Sequence, residues 1–202
     1  MEIASDAKPR LFFALKLTGD VRPQVVTLLE RLQQATDALE HRVKVKWVEP
    51  ENLHFTLKFL GWMPALVLPS LTTIGQELAA RTAPWSLTLS GVGAFPKPRY
   101  PQTIYVSAMT GAQPLIELAT NLDRMLTECA ISEAEKRSFV PHCTLGRVKQ
   151  TRGVAALAPA LEAEAGFHAG PMMCTHFSLL QSELRRSGPI YTEIENYAFG
   201  SG

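Results

Sequence analysis

Apolar positions in this chain follow two different spacings in different segments. Alternation or short apolar runs, the signature of strands, occupy residues 10–16, 43–48, 53–60, 85–92, 103–108, 139–145, 172–180 and 190–197. Other segments show the three-and-four spacing of helices. Val25, Leu28, Leu29 and Leu32 follow Gly19-Asp20 with Pro23 in the first turn, and Leu71, Ile74 and Leu78 follow Pro69-Ser70. The clearest helical face is Leu115, Leu118, Ala119, Leu122, Met125, Leu126 and Cys129, with Pro114 near its start. A short Ala/Leu-rich helix is expected at 154–165. Regular β-α-β alternation is missing, and so is a glycine-rich first turn. The pattern therefore predicts an α+β fold with mainly antiparallel sheets rather than a doubly wound parallel one.

Composition narrows the class. A chain of 202 residues is one sizeable domain or two small lobes sharing a core. Its 46% hydrophobic content and formal charge of +1 exclude disorder for the bulk of the chain. The same near-zero charge argues against a polybasic grip on long nucleic acid, while leaving room for a short nucleotide end held in a cleft. The first apolar run, Leu11 to Leu15, stops at Lys16. It is shorter than the roughly 7–15 residues of a signal peptide core or the roughly 20 of a membrane helix. Cys129, Cys143 and Cys174 are odd in number and form no C-x-x-C, which weighs against a disulfide framework and a zinc knuckle. A reduced, cytoplasmic protein is expected.

One short pattern occurs twice: His54-Phe55-Thr56-Leu57 and His142-Cys143-Thr144-Leu145, with the histidines 88 positions apart. Side chains two apart on a strand share a face, so each copy presents an imidazole beside a hydroxyl. In the first copy Leu53, Phe55, Leu57 and Phe59 form the expected apolar face, with His54, Thr56 and Lys58 opposite. In the second, Cys143 and Leu145 are expected to be buried. A lone H-x-T is a weak signal, but two copies on strand-like segments suggest two lobes facing across a cleft. Imidazole titrates near neutrality, so two histidines suit a reaction needing a base and an acid in one turnover. Phosphodiester cleavage is such a reaction: one histidine takes a proton from water, and the other protonates the leaving ribose oxygen. The threonine hydroxyls suit the non-bridging oxygens, where charge builds up in the transition state. The chain has no H-x-H, no H-E-x-x-H and no Asp/Glu cluster, so neither metal nor cofactor is expected.

The surroundings of the two motifs carry a family likeness. Four segments resemble the RNA 2′,3′-cyclic phosphodiesterase branch of the two-histidine (2H) phosphoesterase superfamily, a branch first named for 2′-5′ RNA ligase activity. They are Arg10-Leu11-Phe12-Phe13-Ala14-Leu15, residues 46–61 around His54, Phe95-Pro96-Lys97-Pro98, and Phe139-Val140-Pro141-His142-Cys143-Thr144-Leu145-Gly146-Arg147. Phe177-Ser178-Leu179, Ser182, Gly188 and Tyr191 fit its closing strands. The resemblance implies a single bilobal domain over residues 1–202, each lobe giving one H-x-T-L motif. It further implies two mainly antiparallel sheets with flanking helices, a pseudo-two-fold axis, and an active site between the lobes. The implied reaction is metal-independent hydrolysis of a 2′,3′-cyclic phosphate at an RNA 3′ end to a 2′-phosphomonoester. His54 is then the proton donor to O3′ and His142 the proton acceptor from water, with Thr56 and Thr144 binding phosphate. With a 5′-hydroxyl in place of water, the same pair joins RNA ends through a 2′-5′ bond. The implied partners are such RNA ends or small cyclic nucleotides, handled by a monomer without a membrane. A protein that only binds RNA ends is disfavoured, since pure binding favours permanently charged Arg or Lys over imidazoles.

Other residues depend on geometry. Arg147 matches a family arginine expected at the phosphate, yet strict alternation turns it away from His142 unless the strand bulges or ends at Gly146. Phe12 and Phe13 lie on opposite faces of one strand, so one of them is expected in the cleft, stacking on a base. Lys58 shares the His54 face and is expected to be solvated or near the lobe edge rather than catalytic. Trp47, Trp85 and Cys143 read as structural, His41 as a partner of a helix C-terminus, and His168 and His176 as uninvolved.

Overall fold

The computed structural model describes residues 7–39, 43–150, 153–186 and 188–200. The expectation for His41 lies outside them. The helical stripes form α1 (Val21–Asp37), α2 (Leu68–Ala80), α3 (Ala112–Glu128) and the short α4 (Ala158–Ala163), the last preceded by a 3-10 turn. The strands are β1 (Arg10–Lys16), β2 (Val45–Trp47), β3 (His54–Trp62), β4 (Trp85–Phe95), β5 (Thr103–Ala108), β6 (His142–Val148), β7 (His168–Cys174), β8 (His176–Leu184) and β9 (Pro189–Ala198).

Every strand pair is antiparallel, in the order β7-β4-β5-β6-β3-β1-β8-β9, with β2 on the edge of β6. Each half of this sheet contains one H-x-T strand next to the centre. The halves, expected as two sheets, meet through one ladder pair, Phe55 with Cys143, and so run on as one. The fold is α+β. Buried residues of all four helices share a core with Leu11, Phe13, Leu15, Phe55, Ile104, Val106, Cys143 and Leu145. The helices therefore cover one face of the sheet. The other face has only a small apolar cluster, Phe12, Ala14 and Leu180 with Tyr191 against it. This is the face left open for chemistry.

Two strand boundaries differ from the pattern. Residues 172–180 form not one strand but parts of two, separated at Thr175: β7 pairs with β4 in one half, and β8 with β1 and β9 in the other. The strand expected from 139 starts at His142, because Pro141 has no N–H to give a ladder. Among the described residues no helix is long and apolar enough to cross a membrane.

Candidate active site

The two H-x-T strands place their histidines by the same device. Nδ1 of His54 lies 2.6 Å from the Asn52 carbonyl oxygen, and Nδ1 of His142 lies 2.7 Å from that of Val140. A carbonyl oxygen only accepts, so each Nδ1 carries the hydrogen and donates it to the backbone two residues earlier. Each Nε2 is thereby the atom left for chemistry. Nε2 of His54 is 2.9 Å from the Thr56 hydroxyl, which donates to it when the ring is neutral.

Each imidazole is also held by aromatic rings. His54 packs against Phe12 and Tyr191, with ring centres 5.2 and 5.5 Å away. His142 packs edge-on against Phe95 and Tyr105, at 5.1 and 5.6 Å. Burial pushes the His54 imidazole down to about 4. The Asn52 carbonyl works against this, while the positive charges of His142, Arg147 and Lys16 add to the depression. His142 thus acts on His54 electrostatically across the junction of the two halves.

Both strands then carry a β-bulge at the same point. Opposite β5, Tyr105 pairs with Thr144 and Ile104 with Gly146, so Leu145 is the extra residue. Opposite β1, Ala14 pairs with Thr56 and Phe13 with Lys58, so Leu57 is extra. One extra residue reverses the alternation. Arg147 therefore returns to the face of His142 and Thr144, where it donates to Thr103 Oγ1 at 3.3 Å. The condition set by the sequence for Arg147 is met.

The same device overturns the expectation for Lys58 and Phe59. Lys58 turns to the core side, 8% exposed, and bonds to Asp123 of α3 and the Glu133 carbonyl. Phe59 comes to the open face, 48% exposed, with the Arg10 guanidinium 4.5 Å from its ring centre.

Of the two stacking candidates, Phe13 is in the core against Phe177 and Tyr197. Phe12 faces the site but is 3% exposed beneath His54 and Tyr191. Neither ring has a free face for a base, so Phe12 is a support for His54. Cys143 is fully buried, its thiol pushed up to about 12 by desolvation. Trp47 packs over Gly146, and Trp85 stacks on Phe199. Neither reaches the histidines. Among the described residues no three metal-ligating side chains converge. Tyr105, Phe95 and Arg10 were not legible as site residues, since each comes from a strand whose pairing the local pattern does not reveal, and Phe59 was hidden by the bulge at Leu57. Tyr191 was marked only as part of a closing strand.

Comparison with known proteins places this arrangement. The sequence profile of the 2'-5' RNA ligase superfamily matches residues 22–186. The chain is 34% identical to an RNA 2',3'-cyclic phosphodiesterase of Methanothermobacter thermautotrophicus, over 93% of this chain and 97% of the relative. To one of Aeropyrum pernix it is 36% identical, over 87% and 99%. The crystal structure of TT0787 of Thermus thermophilus superposes with a TM-score of 0.74 at 28% identity, covering 96% of this chain and 100% of that one. With two H-x-T strands joined at their centres and a profile match across most of its length, this chain belongs to the 2'-5' RNA ligase superfamily.

Proposed function

We propose that the protein hydrolyses 2′,3′-cyclic phosphate ends of RNA to 2′-phosphomonoesters, without a metal, using His54 and His142 as acid and base. One observation carries this reading: in both motifs Nδ1 is tied to a backbone carbonyl, which leaves each Nε2 free of the backbone and available for proton transfer. The relatives named RNA 2',3'-cyclic phosphodiesterase support the substrate. The unpaired, buried thiols of Cys143 and Cys174 fit a reducing, cytoplasmic setting.

In the forward direction, Nε2 of His142 takes a proton from water as the water oxygen bonds to phosphorus. The P–O3′ bond breaks, and Nε2–H of His54 gives its proton to O3′. Thr56, Thr144 and Arg147 hold the non-bridging oxygens, the arginine through its planar fork. His54, neutral in the empty site, is charged for this role by the phosphate itself. An anion against a desolvated imidazole stabilises the imidazolium. With a 5′-hydroxyl replacing water as the nucleophile, the same step forms a P–O5′ bond as P–O3′ breaks, which is 2′-5′ ligation by the same pair.

Product analysis on an RNA ending in a 2′,3′-cyclic phosphate tests the polarity. A 2′-phosphate is expected, and a 3′-phosphate overturns the assignment of His54 to O3′. His54→Ala and His142→Ala are each expected to lower turnover by about 10²–10⁴-fold. Near-normal hydrolysis by either variant overturns its role, and loss of wild-type activity in excess chelator overturns the metal-free chemistry.

A further inference from the structure

The near-neutral charge of the chain includes a local group of cations next to the site. β2 lies along β6 just beyond the site, with Lys46 as the Cα partner of Arg147. The Lys149 amide then donates to the Lys44 carbonyl at 2.7 Å. Alternation puts Lys44, Lys46, Arg147 and Lys149 on one face, all exposed, while Val45 and Trp47 pack over Gly146 on the other. The bulge at Leu145 makes the first of these the face of His142 and Thr144. The four charges therefore extend the floor of the site.

A second element adds to them. The loop at 96–102 leaves the site at Phe95, whose ring lies against His142, and returns at Thr103, which accepts from Arg147. It carries Lys97 and Arg99, whose charged groups lie 5.4 and 5.8 Å from the ring centre of Tyr100. All three side chains are exposed.

Among the described residues none of these six cations has an acidic partner. The ion pairs use Lys16, Arg31, Lys58, Arg81, Arg124 and Arg185 instead. Like charges on directly opposed strand residues, as at Lys46 and Arg147, are destabilising. Folding gains no ion pair from this array among the described residues, and a mononucleotide held between the histidines does not span it. A polyanion does.

Resting on the phosphodiesterase reading of the site, we propose that this ribbon and loop bind single-stranded RNA on the 5′ side of the terminal cyclic phosphate. The substrate is then an RNA strand rather than a free cyclic nucleotide. Lys44, Lys46, Lys97, Arg99 and Lys149 follow successive phosphates, and the Tyr100 ring offers a face on which a base stacks without sequence preference.

The test compares kcat/KM for a single-stranded RNA of about ten nucleotides ending in a 2′,3′-cyclic phosphate with that for cytidine 2′,3′-cyclic phosphate. It uses the intact protein and a Lys44→Gln/Lys46→Gln/Lys149→Gln variant, between about 50 and 200 mM salt. Each phosphate contact on a single strand adds about 0.7 to the log–log salt slope, so the variant is expected to lose about 2 from the RNA slope. At low salt its RNA kcat/KM is expected to drop at least about tenfold, with the mononucleotide value unchanged. Tyr100→Ala is expected to lower the RNA value alone. An unchanged RNA slope, or an equal fall for both substrates, overturns the proposal. Should the wild-type protein hydrolyse neither substrate, the reading of the site fails. The surface is then judged by fluorescence anisotropy of the same RNA with a 3′-hydroxyl: salt-sensitive binding lost in the triple variant supports it, and no binding overturns it.

Discussion

Phe55 and Cys143, the middle residues of the two H-x-T triplets, are the one pair of Cα partners that joins β3 to β6. An antiparallel pair has a local two-fold axis through it. Registering the two middle residues therefore sets His54 across from Thr144, and Thr56 across from His142. The register that makes the site is fixed from behind, by two side chains that are both 0% exposed.

Cys143 is thus a packing residue, and its chemistry should be silent. Burial raises its thiol to about 12, and that of Cys174 to about 12, whereas Cys129 is exposed. A thiol reagent at neutral pH is expected to modify Cys129 alone in the native protein, and all three cysteines once it is denatured. Cys143→Ala should keep hydrolysis within about tenfold of wild type. A loss as large as that of the histidine variants would give the thiol a chemical role.

Beside the bulge that returns Arg147 to the site, β2 packs closely over Gly146. A Cβ there would stand 2.8 Å from the Trp47 ring and 2.8 Å from Val45. Gly146→Ala should therefore lose about 1–3 kcal/mol by overpacking and push β2 off β6. A lower denaturant midpoint with weaker inhibition by inorganic phosphate is the expected pair of changes. Wild-type stability would show that the ribbon yields at no cost.

These bulges mark where the sequence stops being legible. Residues 10–16 and 103–108 are strands with those bounds, because their apolar pattern is local. Within each H-x-T triplet, alternation alone puts His and Thr on one face. Nothing about Leu57 or Leu145 signals an extra residue, since leucine suits the core on either side of a bulge. Alternation then carries Lys58 to the wrong face and Phe59 with it. The burial of Lys58 depends on Asp123, 65 positions away, which no local pattern contains. The break at Thr175 is hidden for a related reason: what changes there is the partner strand, while the strand-like run continues.

Lys58 and Asp123 make their own prediction. The Lys58 ammonium bonds to Asp123 and the Glu133 carbonyl, and Asp123 accepts from the Glu135 amide at 3.1 Å. β3 is thereby tied to α3 and to the segment leading to His142. Although burial works the other way, Lys58 and that amide hold the Asp123 carboxyl below its ordinary value. Its contribution is therefore present above the unfolded carboxylate pKa of about 3.9 and lost as pH falls through the lower native value. At neutral pH, Asp123→Asn leaves a buried ammonium uncompensated, an expected loss of about 3–5 kcal/mol. The Lys58→Met/Asp123→Leu pair should lose less than the sum of its single changes in a denaturation cycle. Strict additivity would show that the two groups are not coupled.

His54 carries the pH dependence of both stability and function. Its native value of about 4 lies below the ordinary 6.5. Between these values the unfolded chain binds the proton and the native one does not, so stability is complete above about 6.5 and declines as pH falls toward 4. The decline is worth up to about 3 kcal/mol and should vanish in His54→Asn. A bound phosphate reverses the balance by supplying the negative charge that burial removed. An NMR titration of the His54 ring should therefore show its pKa rising toward neutrality when inorganic phosphate or a 2′-phosphate product is saturating. Product inhibition should tighten correspondingly as pH is lowered from 8 to about 5. A ring that stays near 4 in the complex is neutral throughout turnover at pH 7. The proton for O3′ would then have to come from another group, and His54 could serve only as a base.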